Sequence, residues 1–160
     1  MADFVLPKAQ EEIEQPKPLP EADYNLRLSK PVRVEAGKEK AKMTDGESYD
    51  PERVRDNMIF EFETFGEADP AFNGRPFTVY APIPNAHDGD RRTRRGQTYT
   101  DLFLTRIYRL CDALGGSKDG ASISIPDGAC CRAHVTQIFD KERKEFFNDL
   151  DENTLQPYAG

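Results

Sequence analysis

A chain of 160 residues with 37% hydrophobic and 32% charged side chains has room for one domain with a real core and some spare length. Mean hydropathy is low at -0.75, and no apolar run approaches the roughly 18 residues of a membrane-crossing helix, which excludes such a span. The opening Met1-Ala2-Asp3-Phe4-Val5-Leu6-Pro7 has neither a basic start nor a long apolar stretch, so no signal peptide is expected. Three cysteines, Cys111, Cys130 and Cys131, two of them adjacent, do not form a disulfide framework and point to a reducing, cytoplasmic setting. The net charge of -7 argues against nucleic acid as a sum, yet local fields decide what a surface attracts. Basic residues gather between 27 and 42 and again at Arg91, Arg92, Arg94 and Arg95.

In chain order, residues 1–20 end in Gln15-Pro16-Lys17-Pro18-Leu19-Pro20, and alternating prolines favour an extended arm. Tyr24, Leu26 and Leu28 alternate with Asn25, Arg27 and Ser29, the period of a half-buried strand that Pro31 interrupts. Residues 35–56 are polar and read as a long loop. A second strand places Met58, Phe60 and Phe62 on one face and Ile59, Glu61 and Glu63 on the other. Asn73-Gly74 turns the chain into a third strand, where Phe77 and Val79 alternate with Thr78 and Tyr80, until Pro82 and Pro84 end it. After a polar loop over 85–97, Phe103, Ile107, Leu110, Cys111 and Leu114 form one apolar stripe, which predicts a helix over 99–114. Thr98 with Asp101 caps its start, and Gly115-Gly116 stops it. Strands over 129–139 and 144–150 follow, joined by a turn at Asp140-Lys141-Glu142-Arg143, and residues 151–160 read as a loose acidic tail.

The fold class is thus mainly β with one helix (α+β), in the order strand, strand, strand, helix, strand, strand. That is the order of an OB-fold, a five-stranded, partly open antiparallel barrel whose helix lies between strands three and four. A sandwich with one helix is the other solution. The domain occupies 21–150, with the Pro-rich arm (1–20) before it and the acidic tail (151–160) after it.

OB-folds bind oligonucleotides with the face of strands two and three and the loops joining strands one-two and four-five. Here those loops carry Lys38, Lys40 and Lys42, and Lys141, while Arg91, Arg92, Arg94 and Arg95 lie just before the helix. Each cluster alone reads as solvated loop charge; their coincidence with the binding loops makes them candidate phosphate contacts. Tyr80 faces outward and is the candidate for base stacking, followed by Tyr49 and Phe72 in loops. Glu61 and Glu63 share the outward face and oppose phosphate. No nucleophile–base pair, phosphate loop or dinucleotide fingerprint is visible, and His87-Asp88-Gly89-Asp90 reads as a turn before it reads as a metal site. A protein that is not an enzyme and holds no cofactor is expected.

The sequence resembles the short OB-fold single-stranded DNA-binding proteins encoded by bacteriophages. The likeness lies in Pro20-Glu21-Ala22-Asp23-Tyr24-Asn25-Leu26-Arg27-Leu28, in Ile59-Phe60-Glu61-Phe62-Glu63 and in Leu110-Cys111-Asp112-Ala113-Leu114-Gly115. Gly128-Ala129-Cys130-Cys131-Arg132-Ala133-His134-Val135, followed by an Asp-Lys turn, completes it. The resemblance implies sequence-tolerant binding of single strands in replication or recombination, and an acidic segment, here Asp149-Leu150-Asp151-Glu152, that recruits a partner protein. The rival expectation is a structural or interaction module of a viral particle or replication complex. It would dock through the arm carrying Phe4, Val5, Leu6 and Ile13.

Overall fold

The structure, a computed structural model, describes residues 1–13, 17–37 and 54–159. Lys38, Lys40, Lys42 and Tyr49 lie outside the described residues. Among the described residues there are nine strands and one α-helix, where five strands are expected. Three local causes account for the difference. Ser29-Lys30-Pro31-Val32 divides the first strand into β1 (Ala22–Leu28) and β2 (Arg33–Glu35), because Pro31 cannot donate to a ladder. Residues after the helix form a small hairpin of their own, β5 (Ser117–Asp119) with β6 (Ser122–Ser124). The acidic tail is not loose: after a 3-10 turn at Glu152–Thr154 it adds β9 (Gln156–Pro157) to the main sheet.

The long strands are β3 (Asn57–Phe65), β4 (Pro76–Pro82), β7 (Cys130–Asp140) and β8 (Glu145–Leu150). All pairings are antiparallel, and the path runs β4-β3-β1-β7-β8. Strand β3 holds β4 along one edge and both β1 and β2 along the other, as the shared partners at Met58 and Phe62 require. Strand β7 likewise holds β1 on one edge and β8 and β9 on the other. The ends of the path, β4 and β8, touch without a ladder, so the sheet curls but does not close.

Helix α1 (Tyr99–Ala113) sits between β4 and β7 in the chain. Thr98 accepts the Asp101 N–H at its start, and Gly115 at φ +69° ends it. Gly116 has a different reason: a Cβ there would lie 2.5 Å from Cys111 Sγ and 2.7 Å from the Ser124 carbonyl, so only glycine lets the hairpin approach the helix. The helix and its cap bury Ile107, Leu110, Ala113 and Leu114 in one core with the sheet, and Cys111 is buried beside Gly116.

To that core the sheet brings Leu26, Phe60, Phe62, Phe77, Val79, Cys131, Ala133 and Val135. Rings Phe60, Phe62 and Phe77 stack in sequence at 6.2 and 6.3 Å. Fully burying one such side chain stabilises by about 1.5–3 kcal/mol, so this ladder anchors the domain. Burial also pushes the Cys131 thiol up to about 12, and all three cysteines are free. Ile59, on the face expected to be outward, is nevertheless buried, flanked in register by Arg33 and Tyr80.

The packed domain begins before Glu21. Leu19 is 1% exposed, and it donates its N–H to Asn148 Oδ1 at 2.8 Å. Its carbonyl accepts from Gln137 Nε2 and Asn148 Nδ2. The last residues of the arm therefore clasp β7 and β8, while residues 1–13 are exposed throughout. Among the described residues no helix is long and apolar enough to cross a membrane.

Candidate nucleic-acid interface

Strand β7 outruns its neighbour: pairing with β1 stops at Val135, whereas pairing with β8 continues to Asp140. Leu19 and Glu21 still hold this extension at Gln137 and Asn148, and past them the hairpin is a two-stranded ribbon whose tip is exposed. Ribbon geometry then exposes whatever the sequence supplies, and it supplies Ile138, Phe139, Phe146 and Phe147. Phe139 and Phe146 are opposite each other and 5.1 Å apart between ring centroids, tilted by 57°. Ile138 and Phe147 pair on the other face.

The turn that joins these strands holds three cations, Lys141, Arg143 and Lys144, with Glu142 among them and Asp140 and Glu145 at its flanks. Asp140 Oδ1 accepts from the Glu142 and Arg143 N–H groups, which folds the chain back on itself. Lys144 completes the turn at φ 56°, a left-handed conformation that costs a non-glycine residue energy. Lys141 and Lys144 make no ion pair among the described residues; Arg143 lies 3.9 Å from Asp140. Lys141 thus stands on a tip with exposed rings directly behind it.

Tyr80 is 58% exposed, as its outward position on β4 requires. It lines a cleft of about 280 Å³ together with Thr78, Arg106 of α1, and Phe147, Asn148 and Asp149 of β8. The structure therefore brings Tyr80 beside the hairpin that Lys141 tops. Phe72, the other described loop aromatic, packs edge-on against Tyr24 at 6.5 Å and belongs to the rim of the core.

The four arginines divide into two kinds. Arg91 lies over the Tyr99 ring at 4.8 Å, and Arg92 donates to the Gly96 carbonyl at 2.5 Å, so both hold their own loop. Arg94 and Arg95 are exposed and make no ion pair among the described residues. The loop is pinned by Asp88, which is fully buried. Its carboxylate accepts from Arg55 Nε at 2.8 Å and Arg55 Nη2 at 2.5 Å, and from the Asn85 N–H at 2.8 Å. These Arg55 bonds hold the Asp88 carboxyl below its ordinary value, against the opposing effect of burial, with the Asn85 N–H adding to the lowering. Arg55 also lies 5.0 Å above the Phe103 ring. Asp88 thus ties the segment that leads into β3 to the arginine loop, and no metal-ligand cluster occurs among the described residues.

On the outward face of β3, Glu61 pairs with Arg33 at 2.7 Å and Lys30 at 3.7 Å, and Glu63 pairs with Arg27 at 2.8 Å. Each carboxylate is matched by at least one cation, which cancels the repulsion expected from the sequence. Beside them Arg27 covers the Phe65 ring at 5.1 Å, and Tyr158 meets Phe65 edge-on at 5.1 Å. The acidic segment is also engaged: Asp149 pairs with Arg106 at 3.1 Å and Glu152 with Arg109 at 3.8 Å.

Sequence reasoning missed Phe139, Phe146 and Phe147 as surface aromatics. The signal was present in the adjacent Phe146-Phe147 pair, because a strand places consecutive side chains on opposite faces and one of the two must leave the core. In comparison with known proteins, no family pattern and no curated protein sequence matches this chain.

Proposed function

We propose that this chain binds single-stranded nucleic acid on an OB-like, partly open barrel, acting by binding rather than catalysis, in replication or recombination of the phage type. The strand path β4-β3-β1-β7-β8, the contact between its ends and the helix between β4 and β7 agree with that architecture. One observation carries the functional reading: the β7–β8 hairpin exposes Phe139, Phe146 and Phe147 immediately behind a turn holding Lys141, Arg143 and Lys144. Apolar rings this exposed contribute no more than about 1 kcal/mol to folding, and flat rings beside cations suit a flexible polyanion with unstacked bases. Arg94 and Arg95 supply further uncommitted charge, and the sequence adds the cations Lys38, Lys40 and Lys42 to the same proposal.

Fluorescence anisotropy with a labelled oligo-dT strand and a matched duplex, titrated at several salt concentrations, tests this. Salt-sensitive binding of the single strand alone is expected. The triple variant Arg94→Ala, Arg95→Ala, Lys141→Ala should bind more weakly on every sequence and reduce the magnitude of the log Kd against log salt slope by up to about 2, since each phosphate contact contributes about 0.7. Equal binding of duplex and single strand, or none at low salt, rules the reading out.

A second reading rests on the arm, where Phe4 is 83% and Leu6 73% exposed. Those side chains suit docking on a protein of a viral particle or replication complex. Removing residues 1–13 should leave affinity for oligo-dT unchanged; a large loss would make the arm part of the nucleic-acid site instead.

A further inference from the structure

We propose that the open seam between β4 and β8 is a subsite for one unstacked nucleobase. The inference deepens the single-strand reading and rests on it for the source of the base. Both strands present an edge with no ladder among the described residues, since β4 pairs only with β3 and β8 only with β7. The two edges face one another across the cleft that holds Tyr80 and Phe147.

Size, charge and hydrogen bonding then select the occupant. At about 280 Å³ the cleft lies at the lower limit of ligand pockets, which run from about 300 to 1,000 Å³, and suits a single ring system. Its two aromatic walls come from different strands and are 58% and 45% exposed, so a planar group between them gains contact with both. Charge argues against a phosphate here: Arg106 and Asp149 pair at 3.1 Å and cancel. The ligand that fits is flat and neutral.

It must also accept a hydrogen bond. Arg106 lines the cleft, and its Nε, buried behind that surface, has no hydrogen-bond partner among the described residues. The Thr78 hydroxyl, on the same wall, makes no hydrogen bond among the described residues. Asn148 adds nothing, because its amide is spent on Leu19 and Thr136. A base entering the seam brings an acceptor, a carbonyl oxygen or a ring nitrogen, while its ring lies against Tyr80 and Phe147.

The test uses the full chain and two probes. Thymidine 5′-monophosphate is titrated by heteronuclear NMR, and an oligo-dT strand carrying a single 2-aminopurine is followed by its fluorescence. Saturable shifts at Thr78, Tyr80, Arg106 and Phe147 are expected, lost in both Arg106→Met and Phe147→Ala. The 2-aminopurine emission should be quenched on binding, and Phe147→Ala should relieve the quench and weaken the oligomer roughly tenfold. Phe147 is half-exposed, so that variant is expected to fold, and circular dichroism verifies it. Shifts from the mononucleotide with no binding of the oligomer would uphold the seam and sink the single-strand reading. Full-affinity oligomer binding in both variants, with no mononucleotide shifts at the seam, overturns the subsite and leaves the single-strand reading standing.

Discussion

Alanine at Phe139 and Phe146 together will weaken binding to an oligo-dT strand by roughly five- to 150-fold while the protein stays folded. Stacking of one base on an aromatic platform is worth about 1–3 kcal/mol, and every 1.4 kcal/mol is a factor of ten in Kd. The two rings lean on one another, so they count as one platform and not as two. Because they are 48% and 54% exposed, their loss removes little burial, and a cross-strand pair of this kind contributes no more than about 1 kcal/mol to the fold. Anisotropy and thermal melting measured on the same samples separate the two effects. Unchanged affinity in a folded variant would take the hairpin out of the interface and return its rings to the surface of a protein partner.

Asp88→Asn should destabilise the protein by about 1.5–3 kcal/mol in urea unfolding, the loss of charge-assisted hydrogen bonds at a buried carboxylate. The substitution keeps the shape of the side chain but replaces a carboxylate that accepts twice from Arg55, whose side chain is 14% exposed, with a neutral amide. Acid should reproduce the effect in the wild type. Arg55 holds the Asp88 carboxyl below its ordinary 3.8, so the ionised form is favoured by folding. Stability from this group is therefore complete above that ordinary value and is lost as pH falls through the lower folded value. The wild type and the variant should converge as the pH drops through that window. A difference that stays constant there would mean that packing, and not the ion pair, anchors the loop.

What could be read in advance follows from how local each signal is. The helix was legible because its apolar period, the Thr98 cap and the Gly115 stop are all contained in one stretch of chain and agree. The alternation in β1, β3, β4 and β7 was legible for the same reason, and it placed Tyr80 outward. Ile59 broke the rule: it is buried, with Arg33 and Tyr80 opposite it on neighbouring strands, and no pattern within β3 records those neighbours. Asp88 read as a turn residue because its partner, Arg55, is 33 residues away. Leu19 was assigned to the arm from its proline context, although it is held by Asn148 across 129 residues. For the candidate site, the basic loops were visible as charge runs, but which arginines are free depended on the fold. The aromatic hairpin depended on β7 being longer than β1, which is a relation between strands and not a property of either.

The clasp at Leu19 has a consequence for how the chain comes off the ribosome. Strand β1 can pair with β3 once residue 65 has emerged, but its other edge waits for Val135, and Leu19 waits for Asn148. The first segment of the domain to be made is thus among the last to be secured. For most of synthesis the nascent chain carries Tyr24, Leu26 and Leu28 on a half-paired strand, and contacts this distant in sequence form slowly. Pro18 and Pro20, just ahead of that strand, cannot donate to a ladder, so they cannot lengthen the edge left open during the wait.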